Sequence, residues 1–197
     1  SLFFMHLSPE KITAVAEETP HYLYTLQREK SLEKEGMLKV TASTIGVPMV
    51  MANLLTTTKG EKPDVTSTLG DGCIVGKTGG VDFAFSTRPG FVYSAGPVST
   101  DAVAVTWKSS GTFAARCTKL SRDGKNLVES EEPITCEVTD TGMKYYLSAD
   151  AEIALGVPSA PKSVLINGKA VSGFKFDPTK KMITVKLPSG EGLVSVK

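Results

Sequence analysis

Acidic and histidine side chains would carry the chemistry if this chain were an enzyme. Its two histidines, His6 and His21, belong to no H-x-H or H-E-x-x-H pattern, so we predict no protein-ligated metal site. Glycosidic bond cleavage would need two carboxylates at a defined separation, and the available acids are Asp82, Asp101, Glu129, Glu131 and Glu132. These acids match no catalytic signature, and the sequence contains no G-x-S-x-G turn. We therefore predict that the chain has no catalytic residue of its own.

A glycine-rich stretch, residues 70–80, contains the Gly76-Lys77-Thr78 triplet that ends a phosphate-binding loop. The full pattern, G-x-x-x-x-G-K-[ST], requires a glycine at position 71, where this chain has Asp71. The following Gly79-Gly80 suits a tight turn and not the helix whose N-terminus would hold phosphate. We predict a β-turn here and no cofactor.

Three cysteines, Cys73, Cys117 and Cys136, form an odd set without C-x-x-C spacing, which argues against a zinc or redox motif. Cys117 and Cys136 lie on two runs that can pair across one loop. The sequence is compatible both with a disulfide and with two buried free thiols. We favour the thiols, because a separation in sequence does not show that two Cβ atoms are close enough to be bridged.

Aromatic side chains are the best candidates for binding, because an exposed ring can stack on the apolar face of a sugar. The candidates for carbohydrate contact are Tyr145, Tyr146, Trp107 and Tyr22. We expect Trp107 in the core, since it ends the alternating apolar run Ala102–Trp107. In the pair Tyr145-Tyr146, strand alternation turns one ring outward without saying which.

Short strands must position these side chains. Runs with period-2 alternation, such as Gly36–Thr44, are separated by turn pairs such as Asp123-Gly124 and Asn167-Gly168. About a dozen short strands without alternating helices predict an all-β antiparallel sandwich, in a single domain over residues 1–197. At most one short helix is expected, at Thr25–Gly36, where a solvated hairpin is the alternative.

Polar segments between the strand candidates are predicted to be loops. The two that matter below are Lys59–Thr68, which contains Pro63, and Ser130–Pro133.

Composition excludes several classes of protein. Twenty-two basic and twenty-one acidic residues give a net charge of +1, without the basic excess of a general nucleic-acid binder. No apolar run reaches the length of a membrane span. The chain opens on Ser1, inside the apolar run Leu2–Leu7, which leads us to expect a C-terminal fragment of a larger protein.

In this strand order the chain resembles the C-terminal β-sandwich region of heparinase II/III-like polysaccharide lyases and their alginate-lyase relatives. Four stretches carry the resemblance: LFFMHL at Leu2–Leu7, the strand Met49–Thr56 before a polar loop, the hairpin region Asp101–Leu120 followed by SRDGK, and the closing hairpins from Val164–Lys169 to Val194–Lys197.

The resemblance implies a secreted or periplasmic enzyme that cleaves an acidic polysaccharide by β-elimination. Its partner would be the upstream catalytic domain of the same polypeptide, whose helical toroid supplies a tyrosine acid/base. No motif here carries a catalytic residue across. The competing hypotheses are an autonomous carbohydrate-binding module, which needs exposed aromatics, and a stand-alone enzyme, which needs convergent acids or histidines.

Overall fold

The computed structural model describes four N-terminal strands by their backbone and residues 64–197 in full. The chain divides into two compact units, one formed by residues 1–7 and 52–197 and the other by residues 8–51. The strands are β1 (Leu2–His6), β2 (Thr13–Tyr24), β3 (Lys30–Thr41), β4 (Asn53–Thr57), β5 (Val65–Leu69), β6 (Cys73–Thr78), β7 (Val81–Ser86), β8 (Tyr93–Ala95), β9 (Val98–Thr100), β10 (Ala104–Lys108), β11 (Gly111–Arg122), β12 (Lys125–Thr139), β13 (Gly142–Leu147), β14 (Ala151–Gly156), β15 (Val164–Ile166), β16 (Lys169–Ala170), β17 (Lys175–Asp177), β18 (Met182–Leu187) and β19 (Gly190–Val196).

The N-terminal strands form two antiparallel pairs. In the larger unit β1 pairs with β4, and in the smaller unit β2 pairs with β3 from Thr13↔Thr41 to Tyr24↔Lys30. For the segment Thr25–Gly36 the sequence is compatible with either a short helix or a hairpin. Residues 30–36 belong to β3, so the helix is wrong for them, and residues 25–29 lie outside the described residues.

Strands β5 to β19 form one antiparallel sheet with two branches. The first branch runs in the order β16-β15-β19-β13-β12-β11-β10-β7-β6-β5. The second branch adds β14, β18 and β17 beyond β12, and β9 and β8 beyond β11. Side chains of both branches join one buried cluster, so the branches enclose a common core. The all-β, antiparallel, sandwich-like fold class is therefore confirmed.

Two long strands connect the branches. The start of β11 pairs with β10 and its end with β9, while β12 pairs first with β14 and later with β13. Bulges in the β11–β12 ladder, between Ala114 and Cys117 and between Cys117 and Lys119, allow this change of direction. Asp101 fixes the bulged segment, because its carboxylate accepts bonds from the Thr118 amide (2.8 Å), the Lys119 amide (2.9 Å) and the Thr118 hydroxyl (2.5 Å).

Turn chemistry follows the sequence prediction. Asp123-Gly124 and Asn167-Gly168 have positive φ at both positions (52° and 72°, then 52° and 78°), as tight two-residue hairpin turns require. Gly79-Gly80 likewise joins β6 to β7 with φ of 54° and 78°, which confirms the β-turn and places Gly76-Lys77-Thr78 in a strand.

Two predicted loops are partly wrong. Val65–Leu69, which overlaps the predicted loop Lys59–Thr68, forms strand β5, while residues 59–63 lie outside the described residues. Ser130–Pro133 is not a loop but the middle of β12, where the strand passes from one branch to the other. The strand Val98–Thr100 has no counterpart among the predicted elements.

Candidate functional site

The carboxylates that could have served glycoside cleavage make separate local contacts. The Asp101 carboxylate accepts hydrogen bonds from the backbone of the β11 bulge, and Asp82 lies 4.0 Å from the Lys77 ammonium. Glu129 accepts a bond from the Asn126 amide (2.9 Å) and lies 3.6 Å from the Lys180 ammonium. Glu131 and Glu132 are exposed. Across residues 64–197, no group of three or more histidine, cysteine or acidic side chains could hold a metal ion.

The four aromatic candidates differ in how far the structure exposes them. Tyr146 is 53% exposed, whereas Tyr145 and Trp107 retain only 4% and 6% of their accessible surface and belong to the core. Trp107 is therefore confirmed as a core residue, and neither it nor Tyr145 presents an exposed ring for stacking on a sugar. The side chain of Tyr22 lies outside the described part of the chain.

Strand β13 shows why Tyr146 is the outward member of its pair. Met143, Tyr145 and Leu147 are buried, while Lys144 and Tyr146 are exposed. The sequence contained this signal, because the polar residues Lys144 and Ser148 share the parity of Tyr146. On the inner side the Tyr145 ring packs against Gly192 of β19, at the place where any other residue would put a Cβ atom.

Tyr146 belongs to a larger surface, which we call the outer platform. One row crosses four strands through the consecutive pairs Phe113↔Glu137, Glu137↔Lys144 and Lys144↔Leu193. A second row is formed by Thr135↔Tyr146 and Tyr146↔Glu191. Directly paired residues project from the same face of a sheet, so these seven side chains share one surface.

The outer platform holds a shallow depression of about 460 Å³, which all seven residues help to line. Its apolar members remain accessible, since Phe113 is 40% and Leu193 43% exposed. At one end the Asn167 side-chain oxygen accepts a bond from the Leu193 amide at 2.8 Å, which holds the β15–β16 turn against β19. The result is an aromatic and aliphatic centre with polar groups around it.

Charges on the outer platform nearly cancel. The Lys144 ammonium lies 3.9 Å from the Glu137 carboxylate, and the exposure of both side chains makes this a weak pair. Glu191 has no ion-pair partner among the described residues. Sequence reasoning missed Phe113 and Leu193, although Phe113 has the outward parity of β11, where its neighbours Thr112 and Ala114 are buried.

The three cysteines lie in the core as free thiols, so the interpretation favoured from the sequence is confirmed. The neighbouring Cys117 thiol, through a hydrogen bond, and burial together raise the pKa of Cys136 well above its usual value. Burial, and secondarily the Asp71 carboxylate, raise the pKa of Cys73. Protonated, buried thiols are poor nucleophiles, which argues against a catalytic cysteine.

Two tyrosine hydroxyls are also buried. The hydroxyls of Tyr93 and Tyr145 have no hydrogen-bond partner among the described residues. Burial raises the pKa of both, with Cys73 as the next contribution for Tyr93 and Asp150 for Tyr145. A buried phenol that holds its proton this firmly is unsuited to act as a base near neutral pH.

No protein-family model matches the chain, and its sequence matches no curated protein. Over the residues that the structure describes, no helix has both the length and the apolar character to cross a membrane.

Proposed function

We propose that this chain is an accessory β-sandwich domain of a polysaccharide lyase that acts on an acidic polysaccharide, and that it has no catalytic centre of its own. The observation that carries the proposal is that Asp82, Asp101 and Glu129 are each engaged by different neighbouring residues. The sequence resemblance supplies the enzyme class, the catalytic partner upstream in the same polypeptide and the secreted or periplasmic location.

The shared strands explain how such a domain would support a neighbour. Because β11 and β12 run through both branches, backbone hydrogen bonds join the two branches directly. The larger of two buried clusters in residues 64–197 also ties the same branches together through side chains. In this proposal the domain serves as a buttress for the upstream catalytic toroid.

The test is an assay of the folded chain on alginate, heparan sulfate and hyaluronan, reading the ultraviolet absorbance of the unsaturated uronate that β-elimination produces. We expect no product. A longer form with the upstream catalytic part should cleave, and removal of residues 1–197 from it should lower its melting temperature.

Tyr146→Phe makes this assay sharper, because Tyr146 is the exposed tyrosine of residues 64–197 and so the one accessible phenol for acid/base chemistry there. Product formed by the chain alone and abolished in Tyr146→Phe would refute the accessory role and make the outer platform an active site. Product formed equally by both proteins would refute it as well and place catalysis elsewhere in the chain.

The outer platform favours a second function, an autonomous carbohydrate-binding module. An exposed Tyr146 ring beside Phe113 and Leu193 provides the stacking surface that such modules need. Loss of one stacking ring is worth about 1.4 kcal/mol, a tenfold loss of affinity. We therefore expect Tyr146→Ala to weaken glycan binding about tenfold. Phe91→Ala is the control, since Phe91 is 71% exposed but does not line the platform.

A further inference from the structure

We propose that the outer platform binds an uncharged glycan and discriminates against acidic polysaccharides. The inference rests on the second proposed function, carbohydrate binding, and names the ligand class of that site. The ligand proposed for the platform is therefore different from the acidic substrate proposed for the parent enzyme. The domain would bind a neutral polymer that accompanies the substrate and so keep the enzyme close to it.

Charge is the first argument. The charged side chains that line the depression are two acids and one base: Glu137, Glu191 and Lys144. The Lys144 ammonium lies 3.9 Å from the Glu137 carboxylate, so these two charges offset each other and Glu191 leaves the depression with one excess acid. Arg116 is close in the chain's fold, because its backbone amide donates to the Thr135 hydroxyl. Adding its positive charge to those of Glu137, Glu191 and Lys144 brings the sum only to zero. Polyanion binding depends on a basic excess, which these residues do not provide.

Shape is the second argument. The row from Phe113 to Leu193 crosses three inter-strand spacings, a distance of about 14 Å, and the second row lies about 7 Å away along the strands. This open strip is long enough for a short run of sugar rings and too shallow to enclose a small molecule. The face of Tyr146 supplies stacking, and the flanking Phe113 and Leu193 supply apolar contact.

Polar groups around the rings are the third argument. Glu137 and Glu191 offer carboxylate acceptors, Lys144 offers ammonium donors, and Thr135 offers a hydroxyl. Sugar hydroxyls both donate and accept, so they can satisfy this mixed set. A carboxylate or sulfate ester only accepts. Beside Glu191, which has no ion-pair partner among the described residues, it would meet a like charge.

The experiment compares the folded chain on neutral polysaccharides (xylan, galactomannan and a β-glucan) with alginate, hyaluronan and heparan sulfate, by affinity electrophoresis and titration calorimetry. Each measurement is made at about 0.1 M and about 1 M salt, which shortens the Debye length from about 10 Å to about 3 Å. We expect binding to at least one neutral glycan, changed less than about twofold by salt, and reduced about tenfold in Tyr146→Ala.

Two variants serve as controls. Phe91→Ala should bind like the wild type, because Phe91 lies outside the depression. Glu191→Lys reverses the charge and should acquire acidic-polysaccharide binding that about 1 M salt removes, because it converts the local balance from one excess acid to one excess base.

Three outcomes would overturn the inference, and they differ in what they leave standing. Tighter binding of acidic polysaccharides, lost in Tyr146→Ala and weakened by salt, would refute the ligand class but leave the binding module. Neutral binding unaffected by Tyr146→Ala would refute the platform as its location. If the folded chain binds neither class, the binding module fails as well, whereas the accessory role is decided separately by the elimination assay.

Discussion

Tyr93 makes the stability of this protein depend on alkaline pH in a calculable way. Its side chain is 5% exposed and its hydroxyl lacks a hydrogen-bond partner among the described residues. Burial, followed by Cys73, Asp101 and Cys117, raises the pKa of Tyr93 far above its usual value of 10.0. In the unfolded chain the hydroxyl is exposed to water and titrates near its usual value.

The sign of the effect follows from proton counting. Above about pH 10 the unfolded chain releases the Tyr93 proton while the folded protein keeps it, so the folded state binds more protons. The free energy of unfolding is therefore fully retained below about pH 10 and falls above it, by about 1.4 kcal/mol per pH unit from this residue. Cys136, whose pKa is also raised, adds a similar loss that begins near its usual value of 9.0.

Tyr93→Phe isolates the contribution of Tyr93. At pH 7 the variant removes a buried hydroxyl that has no described partner, so we expect unchanged stability or a gain of about 1 kcal/mol. By pH 11 the difference from the wild type should grow by about 1.4 kcal/mol, because the variant has no proton to lose at this site.

Urea unfolding followed by the fluorescence of Trp107, the sole and buried tryptophan, measures both quantities. Tyr146→Phe, which removes a hydroxyl from an exposed ring, is the matched control and should follow the wild type. A loss of more than about 1 kcal/mol in Tyr93→Phe at pH 7 would mean that the hydroxyl is hydrogen-bonded. A difference that stays constant to pH 11 would mean that burial does not retain the proton.

Three further predictions concern the core and the bulge. Gly192→Ala should lower the free energy of unfolding by about 1 to 3 kcal/mol, because its Cβ would occupy the place of the Tyr145 ring; urea unfolding checks this, and an unchanged midpoint would refute the packing. Asp101→Ala should cost about 2 to 3 kcal/mol in the same assay by leaving the Thr118 and Lys119 amides without their acceptor, and Asp101→Asn should cost less. Without reductant, a chromogenic thiol reagent should find almost no reactive cysteine in the native protein and three in denaturant, because all three thiols are buried and free; two missing thiols would reveal a disulfide.

Strands that are bounded by turn residues on both sides could be predicted from the sequence. The apolar run Val81–Ser86 predicts a strand with the bounds that β7 has, and Met182–Leu187 predicts one with those of β18. In both cases apolar residues lie between turn residues, so local chemistry alone determines the element. The same reasoning fails for β5, because its residues Thr66, Ser67 and Thr68 are exposed on both faces of an edge strand and carry no alternation.

The continuity of β12 could not be predicted, because it depends on a distant strand. Ser130–Pro133 is polar and contains a proline, which locally indicates a loop. In the structure Cys117 of β11 pairs with Ile134 and Lys119 with Glu129, so four residues of β12 stand opposite a single residue of β11. Pro133 lies in this bulged stretch, where no ladder hydrogen bond is required of it.

The outer platform depends on register in the same way. The inner pair Tyr145↔Gly192 determines how β13 and β19 align, since the Tyr145 ring fits only over a residue without a side chain. Its neighbours on either side, Lys144↔Leu193 and Tyr146↔Glu191, must then face outward together. A slip of one residue would bring every one of these side chains to the opposite face. The core packing of one tyrosine therefore determines where the exposed tyrosine beside it lies on the outer platform. If the platform binds glycan as proposed, Gly192→Ala should weaken that binding as well as lower stability.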